Sequence, residues 1–186
     1  MVSFKYGIWD PESSTYDSNC LKVINLPVLK PHVIYGVTGC VKHYMGVVSD
    51  RLSASVGTRA HDTIKAGGMG TEMVETRFPT LNILDALHVT FRPGQGPMVR
   101  YSQATHLGIV AASTDPIALD YWTAVHILMP GAEQAGYSTQ SFNPDISQAS
   151  TRAFAQYLNA SKEILQQGGF RVTSDEDAMN VFVTSN

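Results

Sequence analysis

Ionised side chains are scarce in this chain. Asp, Glu, Lys and Arg make up 16% of its 186 residues, against about 25% in ordinary soluble domains. Part of its surface is therefore covered by a second domain, by a partner subunit, or by water over a Ser/Thr-rich face. The formal net charge is -3 and the isoelectric point lies near 6.0. With no run of Lys or Arg, no positive field exists to steer a phosphate backbone, which argues against nucleic acid as a partner. No apolar stretch approaches the roughly 18 residues a membrane helix needs, and Met1 to Asp10 lack a signal-peptide core. A soluble, cytoplasmic chain without a membrane partner is the expectation. The two cysteines, Cys20 and Cys40, are too few and too far apart for a disulfide framework or an iron-sulfur ligand set, and they read as a buried, reduced pair.

What is present reads as one α/β domain, since a chain of this length can bury one core without staples. The polar opening, residues 1–20, reads as a loop or the remnant of an upstream element, and residues 21–186 as the domain. Leu21 to Leu26 is a β-branched, apolar run that stops at Pro27, as a buried parallel strand does. Pro27 to Tyr35 is its loop, and Val37 to Gly46 a short helix in which Gly39 costs about 1 kcal/mol and so needs a reason. Ser49 to Thr71, ending in Gly67-Gly68-Met69-Gly70, reads as a long loop leading to a helix near Glu72 to Arg77; without a Gly-Lys-Ser/Thr motif it is a poor nucleotide cradle.

Second and third strands are expected at Leu81 to Leu84 and Leu107 to Ala112, separated by the turn-rich Arg92 to Pro97. The third is a continuous apolar run, expected to be buried on both faces. Thr114 or Asp115 caps a helix that opens on Pro116. Another helix spans about Ser147 to Gln167, stopped by Gly168-Gly169, with a short strand from Phe170 to Thr173 after it. Strands alternating with helices predict a mostly parallel sheet flanked by helices in three layers, with ligands at the strands' carboxyl ends.

That geometry selects the candidates. Lys30 and His32 follow the first strand, Asp85 the second and Asp115 the third. His32 could exchange protons near neutral pH, or hold Pro31 and Tyr35 in place through the loop backbone. Lys42 could be a desolvated nucleophile, an anion anchor beside Lys30, or a solvent-facing helix residue. Lys30, Lys42, Asp85 and Asp115 make up the expected binding set for a small anionic molecule, with His32 and Lys42 as the catalytic candidates. His61-Asp62 is either a metal-ligand pair or a capped turn, and His88, His106 and His126 read as structural. Asp115 is first a helix cap, and for Asp120 either a place in the site or a pairing with a nearby cation stays open.

Val23 to His32, Gly36-Val37-Thr38, Lys42 to Gly46, Leu84-Asp85-Ala86, the Gly94 to Pro97 loop and Ala111 to Asp120 together resemble the domain-of-unknown-function family numbered 362, over roughly Leu21 to Met129. The resemblance implies an association with iron-sulfur proteins, whose ligands would lie outside this chain, and an additional α/β half before the first strand, with a homodimer as the other way to complete the site. His43 stands where the family's pattern usually has Asn. Pro31-His32, Gly36, Gly39, Lys42 and His61 also look like the nickel-pincer lactate racemase family. That similarity would make His32 the acid/base, Lys42 the cofactor tether and His61 a metal ligand. Two functions from different classes follow: an enzyme on a small anionic substrate or metal-organic cofactor, or a non-catalytic anion-binding or scaffold domain.

Overall fold

The computed structural model describes residues 1–47, 63–95, 100–145, 147 and 152–184. Its strands form three small sheets. β1 (Val2–Ser3), β2 (Gly7–Asp10) and β3 (Thr15–Asp17) make an antiparallel meander, so the polar opening is a sheet and not a loop. β4 (Ile24–Asn25), β7 (Leu81–Val89) and β8 (Thr105–Ser113) form the second sheet, in the order β4-β7-β8. β5 (Lys30–His32) and β6 (Gly36–Thr38) close a hairpin where a loop was expected.

The expected mostly parallel, three-layer sheet is overturned. β4 runs parallel to β7, and Val28 bridges Asp85 in the same sense, but β7 and β8 are antiparallel, as are the strands of the other two sheets. The connections explain the difference. A parallel pair needs a long crossover that usually contains a helix, and residues 26–80 supply one. Residues 90–104 have among the described residues only the 3-10 turn Tyr101–Gln103, so the chain folds straight back as β8.

β8 is also far more exposed than its apolar run suggests. Along β7, Asn82, Leu84, Ala86 and Val89 are buried, because strand side chains alternate and one face meets the helices. The opposite face is open: Leu26 is 59% exposed and Val110, opposite Asp85, 58%. Val and Ile in a strand report β propensity here and not burial.

The helices are α1 (Cys40–His43), continued by the 3-10 turn Tyr44–Gly46, α2 (Gly68–Glu75), α3 (Pro116–Thr123), α4 (Met129–Gln134) and α5 (Ala153–Gln167). α3 runs into α4 through a π segment, Ala124–Leu128. Pro130 has no N–H to give to the preceding turn, and widening that turn accommodates the missing bond. The glycine-rich stretch is not a loop end but the start of α2. A Cβ on Gly67 would lie 2.6 Å from Ile164 Cδ1, and one on Gly70 2.8 Å from the Ser161 carbonyl oxygen. Those glycines let α2 lie against α5. Phe170 to Thr173 is not a strand; instead, the Thr173 N–H donates to Asp115 Oδ2 at 2.7 Å.

Leu29, Val41, Tyr44, Met73, Leu84, Ile117, Phe154 and Leu158 lie in one core between the central sheet and the helices. Arg77, just beyond α2, ties the meander to it. Its guanidinium donates to the carbonyls of Phe4 (2.9 Å), Lys5 (3.0 Å), Ser18 (2.8 Å) and Leu21 (3.3 Å). Arg77→Met keeps the apolar stem and removes the donors, so it is expected to cost about 1.5 to 3 kcal/mol, with amide exchange in residues 2–17 accelerating before that of β7.

Candidate functional site

The β5–β6 hairpin and α1 bring His32 and Lys42 together around Tyr35, with Lys30 on β5 near enough to act on Lys42 through its charge. The turn between the strands orients His32: its Nδ1 accepts from the N–H groups of Ile34 (3.1 Å) and Tyr35 (3.2 Å). The imidazole is 7% exposed and its ring centroid lies 5.2 Å from that of Tyr35. Lys42, on the buried side of α1, is 6% exposed and sets its Nζ 5.7 Å from the Tyr35 ring centroid. Burial first, and then the charge of Lys30, bring the Lys42 ammonium down to about 8. No carboxylate pairs with Lys42 among the described residues.

The remaining predicted residues stand apart. Asp85 lies within β7 and not after it; its Oδ1 accepts from the Leu87 N–H at 2.8 Å. Asp115 is at the far end of the sheet, because β8 runs against β7. Its carboxylate accepts from Ile117 (2.8 Å), Ala118 (3.0 Å) and Thr173, which makes it the cap of α3 and an anchor for the C-terminal segment. His61 lies outside the described residues. Among those residues no group of three or more His, Cys, Asp or Glu could hold a metal. Cys20 is exposed and Cys40 buried, so the two are not a buried pair. His88 meets the Tyr101 hydroxyl at 2.7 Å, and His126 pairs with Glu176.

Asp120 explains Gly39. Wholly buried on α3, it accepts from the backbone N–H groups of Cys40 (2.5 Å) and Val41 (2.9 Å), satisfying the first turn of α1 from across the core. Burial pushes its carboxyl up to about 7 against the pull of those bonds. A Cβ on Gly39 would sit 2.2 Å from Asp120 Oδ1, so only glycine lets the carboxylate reach the helix.

A second polar arrangement was not predicted. Asn25 Nδ2 donates to the Cys40 carbonyl (3.0 Å) and to Asn82 Oδ1 (2.9 Å), Asn82 Nδ2 donates to the Ser113 carbonyl (3.1 Å), and Asn25 Oδ1 lies 2.6 Å from His43 Nδ1. The signal for it was two asparagines in strands that otherwise read apolar. Phe4, Val23, Ile24, Asn25, His43, Tyr44, Gly46 and Val47 line a cleft of about 260 Å³ beside it.

Residues 16–125 match the family described as Domain of unknown function (DUF362), and the chain belongs to that family. The matched span holds the hairpin, α1, the central sheet and Asp120. No curated protein and no solved structure matches the chain. The family match lends no support to the similarity with the lactate racemase family. No helix among the described residues is long and apolar enough to cross a membrane.

Proposed function

We propose that this domain binds a small anion, a carboxylate or phosphate, at Lys42, with Lys30 as the second cation and His32 shaping the wall. One observation carries the reading: a buried lysine beside a second lysine, with no carboxylate partner among the described residues. A buried charge is costly unless paired, and an anionic ligand would supply the missing partner. Binding is favoured over proton transfer because two N–H groups of the hairpin turn, those of Ile34 and Tyr35, are directed at His32 Nδ1, the nitrogen a base would need free. Asp85 and Asp115 have backbone partners of their own and are not part of this reading. With His61 outside the described residues, the nickel-pincer reading goes no further.

Titration calorimetry with malonate and with inorganic phosphate tests the proposal. Lys42→Met is expected to weaken the bound anion by about tenfold or more, the worth of one charge-assisted hydrogen bond, while the protein stays folded. Equal affinity in both proteins, or no affinity in the wild type for either anion, would remove the reading. A pH test follows from the same residue. The folded ammonium titrates at about 8 and the ordinary value is 10.5, so between these pH values the unfolded chain holds more protons and stability rises with pH. Below pH 8 both states are protonated and the cost of the buried charge is paid in full. Raised values for Cys40 and Tyr44 act the other way, but they are common to both proteins. The melting temperature of wild type minus that of Lys42→Met should therefore climb from pH 8 to 10.5.

A further inference from the structure

The hydrogen bonds around Asn25 fix more than a packing arrangement. Each end of the row is a backbone carbonyl, Cys40 at one end and Ser113 at the other, and a carbonyl can only accept. Asn82 must therefore turn its Nδ2 to Ser113, which leaves its Oδ1 to accept from Asn25. Asn25 must turn its Nδ2 to both Cys40 and Asn82, which leaves its Oδ1 facing His43 Nδ1 at 2.6 Å. Flipping either amide would set oxygen against oxygen in a site where Asn25 is 5% and Asn82 0% exposed. The partner of Asn25 Oδ1 has to be a donor, so the neutral His43 ring carries its proton on Nδ1 and its lone pair on Nε2.

We infer that His43 presents this Nε2 lone pair to the cleft between β4 and the turn after α1, and that the cleft takes a small, mainly apolar molecule bearing one O–H or N–H donor. The walls support that class of ligand, because Phe4, Val23, Ile24 and Val47 offer carbon surface beside His43, and the volume of about 260 Å³ suits a single ring. An imidazole whose Nδ1–H is held by an amide oxygen is also the arrangement that orients a proton acceptor. Partial burial and the charge of Lys30 keep His43 below its ordinary value, so the lone pair is available at neutral pH. Lys30, the second cation of the Lys42 proposal, acts here only through its charge; the residues lining the cleft take no part in that proposal, and the two sites are tested separately.

Long-range nitrogen–proton correlation spectra of the wild-type protein at pH 7.5 read the tautomer directly, and phenol and anisole, with and without the donor, read the cleft. The expected result is His43 protonated on Nδ1, phenol shifting the Nε2 resonance, and anisole binding about tenfold more weakly, the worth of one hydrogen bond. His43→Leu should reduce phenol affinity by about the same factor and bring it level with anisole. A proton found mainly on Nε2, phenol and anisole binding alike or not at all, or phenol binding unchanged in His43→Leu would each overturn the inference. The wild-type spectrum decides the tautomer even if the variant fails to fold.

Discussion

Asp120→Ala is expected to destabilise the protein by about 2 to 4 kcal/mol, lowering its melting temperature by roughly 5 to 15 °C. The substitution leaves the N–H groups of Cys40 and Val41 without their acceptor. Both residues are fully buried, so water cannot take its place without opening the core. Each orphaned donor costs about 1 to 3 kcal/mol, and a small cavity adds to this. Against it stands the relief of no longer burying a carboxyl that burial already pushes up to about 7, which is why the net falls short of the sum. Asp120→Asn should lose about half as much, since an amide oxygen can serve one N–H while its own Nδ2 opposes the other. Chemical denaturation of the three proteins at pH 7.5 gives the order. A wild-type-like Asp120→Ala would show that α1 caps itself.

Gly39→Ala should be nearly as damaging, at about 2 to 3 kcal/mol, although alanine favours helices and φ at Gly39 is negative, at -144°. The cause is contact: the new methyl would lie 2.2 Å from Asp120 Oδ1 and 2.8 Å from its Cγ. Either the carboxylate retreats and gives up its two N–H bonds, or α1 moves and carries Lys42 off the Tyr35 ring. A double-variant cycle separates this from a general intolerance of alanine. If the carboxylate is what the methyl meets, Gly39→Ala should cost much less in an Asp120→Ala background, with a coupling of about 1 to 3 kcal/mol. Strict additivity in that cycle would mean that the glycine is needed for another reason.

The start of α3 and the end of α5 were legible in the residues because their signals are local. Asp115-Pro116 starts α3 as a cap followed by a residue that needs no N–H, and Gly168-Gly169 follows α5 at its last turn. What was not legible is long-range. Nothing in Leu107 to Ala112 distinguishes a strand buried between helices from one at the margin of a sheet, since the same β-branched residues suit both; strand direction was lost for the same reason. The hairpin at Lys30 to Thr38 hid because Pro31 argues against a strand, yet Pro31 sits opposite Val37 in a two-stranded pair, where a missing N–H is tolerated. Of the candidate residues, Lys30 and His32 were selected by their place after the first strand, and Lys42 by its position in a small, apolar helix. Asp85 and Asp115 were grouped with them only because a parallel sheet would have aligned their ends. Asp120 was noticed without a role, since its partners are backbone groups 80 and 79 residues away.

The row of amides between Ser113 and His43 has one further consequence. Hydroxyls and waters can hand a proton along a chain, each giving one as it takes another, whereas carboxamides bounded by two carbonyls have no such exchange open to them. The row therefore acts as a compass needle and not as a wire: it tells the imidazole which way to point but carries no charge inward. Any proton gathered at the outer nitrogen has to depart by the same mouth through which it came.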